Sequence, residues 1–391
     1  MTFLFTSESV TEGHPDKVCD RISDAILDAC LEQDPHSRVA CEVCCGGPSG
    51  SEVFVNIFGE ITTSAKVDYE SVARQVIRSI GYDDKEKKCF DYKTCDVRVL
   101  LGLQSLEISN AVSTTLDNLD MGAGDQGLVF GYASNESENR MPMTHSLASE
   151  LAKQLEKQRK NGTIAWARPD AKTQVTIEYD GNLMHGSIRP KRVHTVVVST
   201  QHDPDISNEQ IREEIRRHVI DQVIPSELVD DQTIYYINPS GSFVIGGPVG
   251  DSGLTNRKII VDTLGGWPSH GGGGLSGKDP SKVDRSGVYA ARWVAVSLVS
   301  AGLAERVSVQ LSYAIGIARP ISINVTSYGT STKTDEQLIE IVNRNFDLRP
   351  GAILRDLRLR EPGYYPLSAY GHLGRTDVDR ALWEIPKSLE L

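Results

Sequence analysis

Apolar positions at Val18, Ile22, Ala25, Ile26 and Ala29 recur with helical spacing behind Pro15, so the pattern predicts a helix that opens on proline and stops at Asp34-Pro35. Residues 38 to 63 then read as strands around the turn-rich Gly46-Gly47-Pro48-Ser49-Gly50. A second amphipathic helix follows, with Asp68 as its cap, a stripe of Tyr69, Val72, Ala73, Val76, Ile77 and Ile80, and a stop at Gly81. The same order returns twice. The second copy starts at Pro142, runs to Arg159-Lys160-Asn161-Gly162, continues as strands across Asp180-Gly181 to Thr200, and opens its last helix with Ser207 and Gln210. The third starts at Pro280, ends its first helix at Gly302, makes strands from Val307 to Ser327, and opens its last helix with Thr334 and Gln337.

This order predicts an α/β chain of the α+β type, built from three similar units of helices and mainly antiparallel strands, because hairpin-length connections cannot join parallel neighbours. The units span 1–108, 109–230 and 231–391. Two glycine-rich segments, 84 to 130 and 231 to 278, read as long loops, and loops of that length in a compact protein are usually functional.

Composition removes several alternatives. With 391 residues, 39% of them hydrophobic, the chain can bury a large core, and no apolar run approaches the roughly 20 residues that span a bilayer. The expectation is a cytoplasmic protein. Seven cysteines without a second Cys/His pair of metal spacing point to reduced, mostly buried thiols. A formal net charge of −12 argues against nucleic-acid or membrane partners, so any polyanionic substrate must be held by a local basic cluster.

Candidate chemistry concentrates at a few places. Gly272-Gly273-Gly274-Leu275-Ser276-Gly277-Lys278 meets the GxxxxGK part of a phosphate-binding loop, but Asp279 follows where that loop needs Ser or Thr. Glycines there let backbone N–H groups approach an anion, and a helix starting near Pro280 adds its positive end; a flexible linker is the plainer reading. His14-Pro15-Asp16-Lys17 parallels Asp279-Pro280-Ser281-Lys282, each with a cation and a carboxylate in the first turn of a proline-started helix. Asp16, Asp20, Asp24 and Asp28 recur at every fourth residue, which reads mostly as a solvated helix face. Asp284 sits in a setting that matches Asp16, and magnesium in phosphate chemistry takes one or two carboxylates plus substrate oxygens. Trp166 to Lys172 and Gly250 to Lys258 supply further charge ahead of apolar runs.

Taken together, Ser7 to Lys17, Gly122-Ala123-Gly124-Asp125-Gln126-Gly127 and Gly271 to Ser286 resemble the three signatures of methionine adenosyltransferases, and the match runs through Gly59 to Ser64 and Ala369 to His372. The resemblance implies pseudo-threefold internal symmetry and a dimer, or dimer of dimers, with active sites between subunits. It implies ATP and L-methionine as substrates, with sulfur attack on C5′ of ATP followed by hydrolysis of the triphosphate to phosphate and pyrophosphate. Carried over by position, it gives Asp16 and Asp284 to magnesium, two ions per site, and Glu42 to potassium. His14, Lys172, Arg257, Lys278 and Lys282 become the catalytic groups, and Asp170, Phe243, Asp251, Lys258 and Gly274 join most of them around ATP. Glu60, Gln104, Asp125 and Asp251, with Lys282, fall to methionine, and residues 104 to 126 to a gating loop at the start of the central unit. Ser242 and Leu103 stand where the family often carries a basic residue. A kinase or ATPase would use much the same glycine loop, lysines and carboxylates.

Overall fold

The N-terminal strand β1 (Thr2–Val10) leads into helix α1 (Pro15–Leu31), where the His14 side chain accepts from the Asp16 N–H and Pro15 occupies the first turn. In this computed structural model, residues 1–48, 53–84, 90–103 and 119–391 are described. Strands β2 (Arg38–Gly46) and β3 (Phe54–Thr62) form an antiparallel hairpin, helix α2 (Tyr69–Ile80) crosses over, and β4 (Asp96–Gly102) returns parallel to β3. After β5 (Gly127–Ser134), the order repeats as helix α3 (Met143–Lys160), hairpin β6 (Ala167–Asn182) and β7 (His185–His202), helix α4 (Asn208–Ile215), and β8 (Ile234–Ile237) parallel to β7. The two-residue strand β9 (Gly253–Leu254) precedes helix α5 (Val283–Ser300), the hairpin β10 (Arg306–Tyr313) and β11 (Ser322–Thr326), and helix α6 (Asp335–Asn345). The parallel pairs occur where a helix intervenes, as crossover geometry requires.

Each of the three larger sheets borrows its outermost antiparallel strand from elsewhere in the chain. The orders are β9-β2-β3-β4, β1-β6-β7-β8 and β5-β10-β11. β1 pairs with β6 from Thr2 opposite Asp180 to Val10 opposite Lys172, and β9 pairs with the far end of β2. Sheet and sequence unit therefore do not coincide: the core is closed by exchange between units.

Several sequence expectations need correction. The third copy's helix begins at Val283, not at Pro280, because the Asp279 carboxylate is occupied by the N–H groups of Ser281 and Val39, and the Asp279 carbonyl by the Lys282 N–H. Pro280 thus lies in a turn, and the parallel with Pro15 ends there. The four aspartates of α1 are not a solvated face. All are buried, at 1%, 0%, 0% and 9% exposure, and each receives a different part of the chain. Asp16 accepts from the Leu254 N–H, Asp20 from Asn256, Asp24 from Gly277, and Asp28 from Gly363, Tyr364 and Tyr365. Arg285 adds a two-pronged contact to Asp24 at 2.7 and 2.9 Å. One face of α1 is thus a dock for three loops, with carboxylates satisfying backbone donors that would otherwise be buried alone.

Replacing Asp28 by alanine orphans three such donors at once. The expected cost is about 3 kcal/mol, since each buried donor left unpaired forfeits ~1–3 kcal/mol and some will find water. Equilibrium urea unfolding checks it: the midpoint drops with an unchanged slope.

Candidate active site

The loop between β1 and α1 is pressed against the start of β6. Thr11 donates to the Pro169 carbonyl at 2.6 Å, its N–H reaches the Ala171 carbonyl, and a Cβ on Gly13 would lie 2.3 Å from the Pro169 backbone oxygen. Only glycine allows that approach. His14 and Asp16 are thereby carried to Asp170 and Lys172. His14 is buried, and its pKa falls to about 3 because burial disfavours the imidazolium and Lys258, Lys172 and Lys17 repel it, against the opposing pull of Asp16. It is a neutral ring whose Nδ1 acts as an acceptor.

Two loops from the last third of the chain lie side by side on the edge of β2. Gly253 and Leu254 pair with Cys45 and Cys44, and further along the edge the Cys41 N–H reaches the Gly277 carbonyl while Asp279 N–H reaches that of Val39. Asn256 joins the two loops through its side-chain N–H to the Ser276 carbonyl at 3.1 Å. The first loop delivers Lys258 to Asp16 at 2.5 Å and Arg257 to the same carboxylate at 3.7 Å. Burial alone would raise the Asp16 pKa, but the hydrogen bonds from Lys258 and the Leu254 N–H outweigh it and hold the carboxyl below its usual range. The second loop sets Lys278 on Asp284 at 2.5 Å.

The glycines of the second loop also meet a packing need that the sequence did not suggest. A Cβ on Gly273 would fall 2.3 Å from the Asp284 carboxylate, one on Gly274 2.2 Å from the Asn256 amide carbon, and one on Gly271 1.5 Å from the Leu128 carbonyl. They let the loop wrap tightly over Asp284 and Asn256, whatever anion the other side receives. Asp279, where a phosphate-binding loop has Ser or Thr, is a buried anchor to β2.

Asp170 is buried and accepts from the Gly247 N–H at 2.8 Å; burial, with help from Asp251 and Asp16, pushes its pKa up to about 7. The Phe243 ring packs on the same stretch, since a Cβ on Gly246 would meet it at 2.7 Å. Asp170, Phe243 and Asp251 thus form one neighbourhood beside Lys172. Glu42 is half-buried, and burial, with Asp20 and Glu60 against Lys278, raises its carboxyl to about 7. Glu60 and Asp125 are exposed, and Lys282 is engaged by Asp279. These three are not drawn into the Asp16–Lys258 contacts, and Gln104 with residues 105–118 lies outside the described residues. Sequence reasoning missed Asp20, Asp24 and Asn256 as supports of the cation-bearing loops; the every-fourth-residue aspartates were the available signal.

The described residues hold no group of three or more metal-ligating side chains close enough to cage an ion. What they do hold is two separate carboxylates, each occupied by a lysine ammonium. Such a donor set suits a cation that keeps water and substrate oxygens as its other ligands, as magnesium does, and does not suit a zinc cage.

Comparison with known proteins gives the family. The S-adenosylmethionine synthetase N-terminal, central and C-terminal domain descriptions match residues 2–106, 120–243 and 245–385 in turn. The chain belongs to the S-adenosylmethionine synthetase family. It is 52% identical to the S-adenosylmethionine synthase of Clostridium tetani (strain Massachusetts / E88) and 51% identical to that of Clostridium botulinum (strain Alaska E43 / Type E3). Each alignment covers 100% of this chain and 98% of the relative. The family's three domain matches run in the order of the three helix–hairpin–helix units, and the loops that carry Arg257, Lys258 and Lys278 fall in its C-terminal domain.

Proposed function

We propose that the chain forms S-adenosyl-L-methionine from ATP and L-methionine, by attack of the methionine sulfur on C5′ of ATP, and then hydrolyses the bound triphosphate to phosphate and pyrophosphate. One observation carries this reading: two loops side by side on the edge of β2 bring Arg257 and Lys258 to Asp16, near His14 and Lys172, and Lys278 to Asp284, in a chain whose net charge is −12. A thioether sulfur needs no base. The protein's task is to align it with C5′ and to stabilise the negative charge that gathers on the departing triphosphate while sulfur becomes a cation.

Asp16 and Asp284, which Lys258 and Lys278 contact, are the carboxylates that would hold two magnesium ions, whose charge would offset that of the phosphates. Lys282 would complete the triphosphate contacts once released from Asp279. The Asp170–Phe243 neighbourhood suits adenosine, with a carboxyl for the sugar or base edge and a ring to stack on it. Glu60, Asp125 and Gln104, with Asp251, remain the candidates for methionine, and Glu42 for potassium. The three units of like element order, with the three larger sheets each edged by a strand from elsewhere in the chain, support a pseudo-threefold arrangement. Val99, Leu100 and Leu103 expose 40%, 64% and 80% of their surface on or beside edge strand β4, which supports self-association as a dimer or a pair of dimers.

The decisive assay supplies ATP, magnesium, potassium and methionine and follows all products. The expected outcome is S-adenosylmethionine, phosphate and pyrophosphate in equal amounts. Steady release of ADP, or of phosphate without any need for methionine, would instead make the chain a kinase or an ATPase.

A further inference from the structure

Beneath the paired loops lies a fully buried ion triad. The Lys17 ammonium is 2.9 Å from the Asp20 carboxylate and in still closer contact with Asp262, and all three side chains have no exposure. Asp20 also accepts from the Asn256 N–H at 2.8 Å. Asp262 closes the single helical turn Ile259–Asp262, its N–H bound to the Lys258 carbonyl, and its own carbonyl accepts from the His372 N–H. Arg257 and Lys258 are therefore the two residues held between a fixed Asn256 and a fixed helical turn, with both fixtures tied to one ammonium.

A buried ion triad is a poor source of stability, because desolvating three charges offsets most of their attraction and apolar residues of the same volume do as well. Its use lies in register, and the residues that it registers are those on Asp16, one position before Lys17 on α1. We infer that Lys17, Asp20 and Asp262 are positioning residues for the reaction: they fix Arg257 and Lys258 at the spacing that a triphosphate requires.

This rests on the reading that Lys258 and Arg257 hold triphosphate, so the test separates the two. Binding of tripolyphosphate with magnesium is measured by calorimetry, and S-adenosylmethionine formation by single turnover, for Lys258→Ala, Asp20→Leu, Asp20→Asn and the combination of Lys258→Ala with Asp20→Leu. Asparagine keeps the oxygen that accepts from Asn256; leucine removes it. Asp20→Leu is expected to weaken tripolyphosphate at least tenfold and to slow transfer in proportion, Asp20→Asn to stay within threefold of the parent, and Asp20→Leu to cost clearly less once Lys258 is already alanine, since only Arg257 is then left to misplace. Asp262→Leu and Asp262→Asn are run alongside and read by the same rule, so that a fold failure at one position leaves the other to decide. If Lys258→Ala leaves tripolyphosphate binding unchanged, the site reading fails. If Lys258→Ala weakens it but leucine and asparagine at 20 or 262 behave alike, or the loss multiplies unchanged in the combined variant, the triad is structural filling and the inference is wrong.

Discussion

Replacing Lys278 by methionine is expected to slow single-turnover formation of S-adenosylmethionine by about 100–1000-fold, the scale of losing one preorganised donor to a developing negative charge. ATP binding is expected to weaken by less than about tenfold, since a partly exposed ion contact contributes only ~1 kcal/mol to the ground state. The asymmetry follows from where the charge appears. Lys278 rests on Asp284 and is 22% exposed, so its charge already has a partner within the protein. Its advantage arises when C5′–O cleavage adds negative charge to the triphosphate. Arg257 gives a sharper version of the same test. Its side chain is 51% exposed and 3.7 Å from Asp16, with an N–H on the Ser252 carbonyl, so it is free to turn a planar fork toward phosphate. Lysine at 257 should restore little of the rate lost in Arg257→Ala if both prongs are used, and most of it if a point charge suffices. A Lys278 variant that lost ATP binding and rate equally would place the residue in ground-state recognition, against this account.

Asp284→Asn is expected to lower the overall rate at least about 1,000-fold, several kcal/mol of barrier, while the thermal midpoint moves by only a few degrees. The position lies in the first turn of α5, where asparagine is well tolerated, and the Asp284 side chain is 26% exposed, so folding loses little. What is lost is the negative charge that a divalent cation needs. The test is a magnesium titration of activity beside a magnesium titration of tripolyphosphate affinity by calorimetry. Near-parent activity at limiting magnesium would remove Asp284 from the metal set. Lys278 is a built-in control, because in Asp284→Asn it loses a partner and keeps its charge, so ATP binding without magnesium should hold or strengthen.

The elements that local chemistry writes were legible in the sequence. Asp68 does accept from the Ser71 N–H, Gly81 does close α2 in the left-handed conformation, and Thr334 and Gln337 form the reciprocal cap at α6. What misled was chemistry completed from far away. Pro280 looks like a helix start until Val39, 240 positions earlier, claims the neighbouring Asp279 carboxylate. The aspartates of α1 look like a wet face until backbone donors from residues 254 to 277 and 363 to 365 arrive on them. β9 is two residues long, too short for any periodicity, yet it sets the first cation-bearing loop. Of the residues that the motifs singled out, the fold brings His14, Asp16, Asp170, Lys172 and Lys258 into one neighbourhood and sets Lys278 on Asp284. The motif did not disclose that Asp16 and Asp284 each rest on a lysine, nor that glycines 271, 273 and 274 are needed on their protein-facing side.

The borrowed strands also set a timetable for synthesis. The Val43 N–H, on the edge of β2, waits for the Thr255 side chain, 212 residues downstream. At about 5–20 residues per second, the nascent N-terminal third spends on the order of 10–40 s with that edge bare. An unpaired edge is a template for the wrong partner, including the same edge on a neighbouring ribosome's product. Here the bare edge carries Glu42 at its centre, a charge that cannot be matched well by another copy of itself and that therefore guards the strand until its own chain completes it.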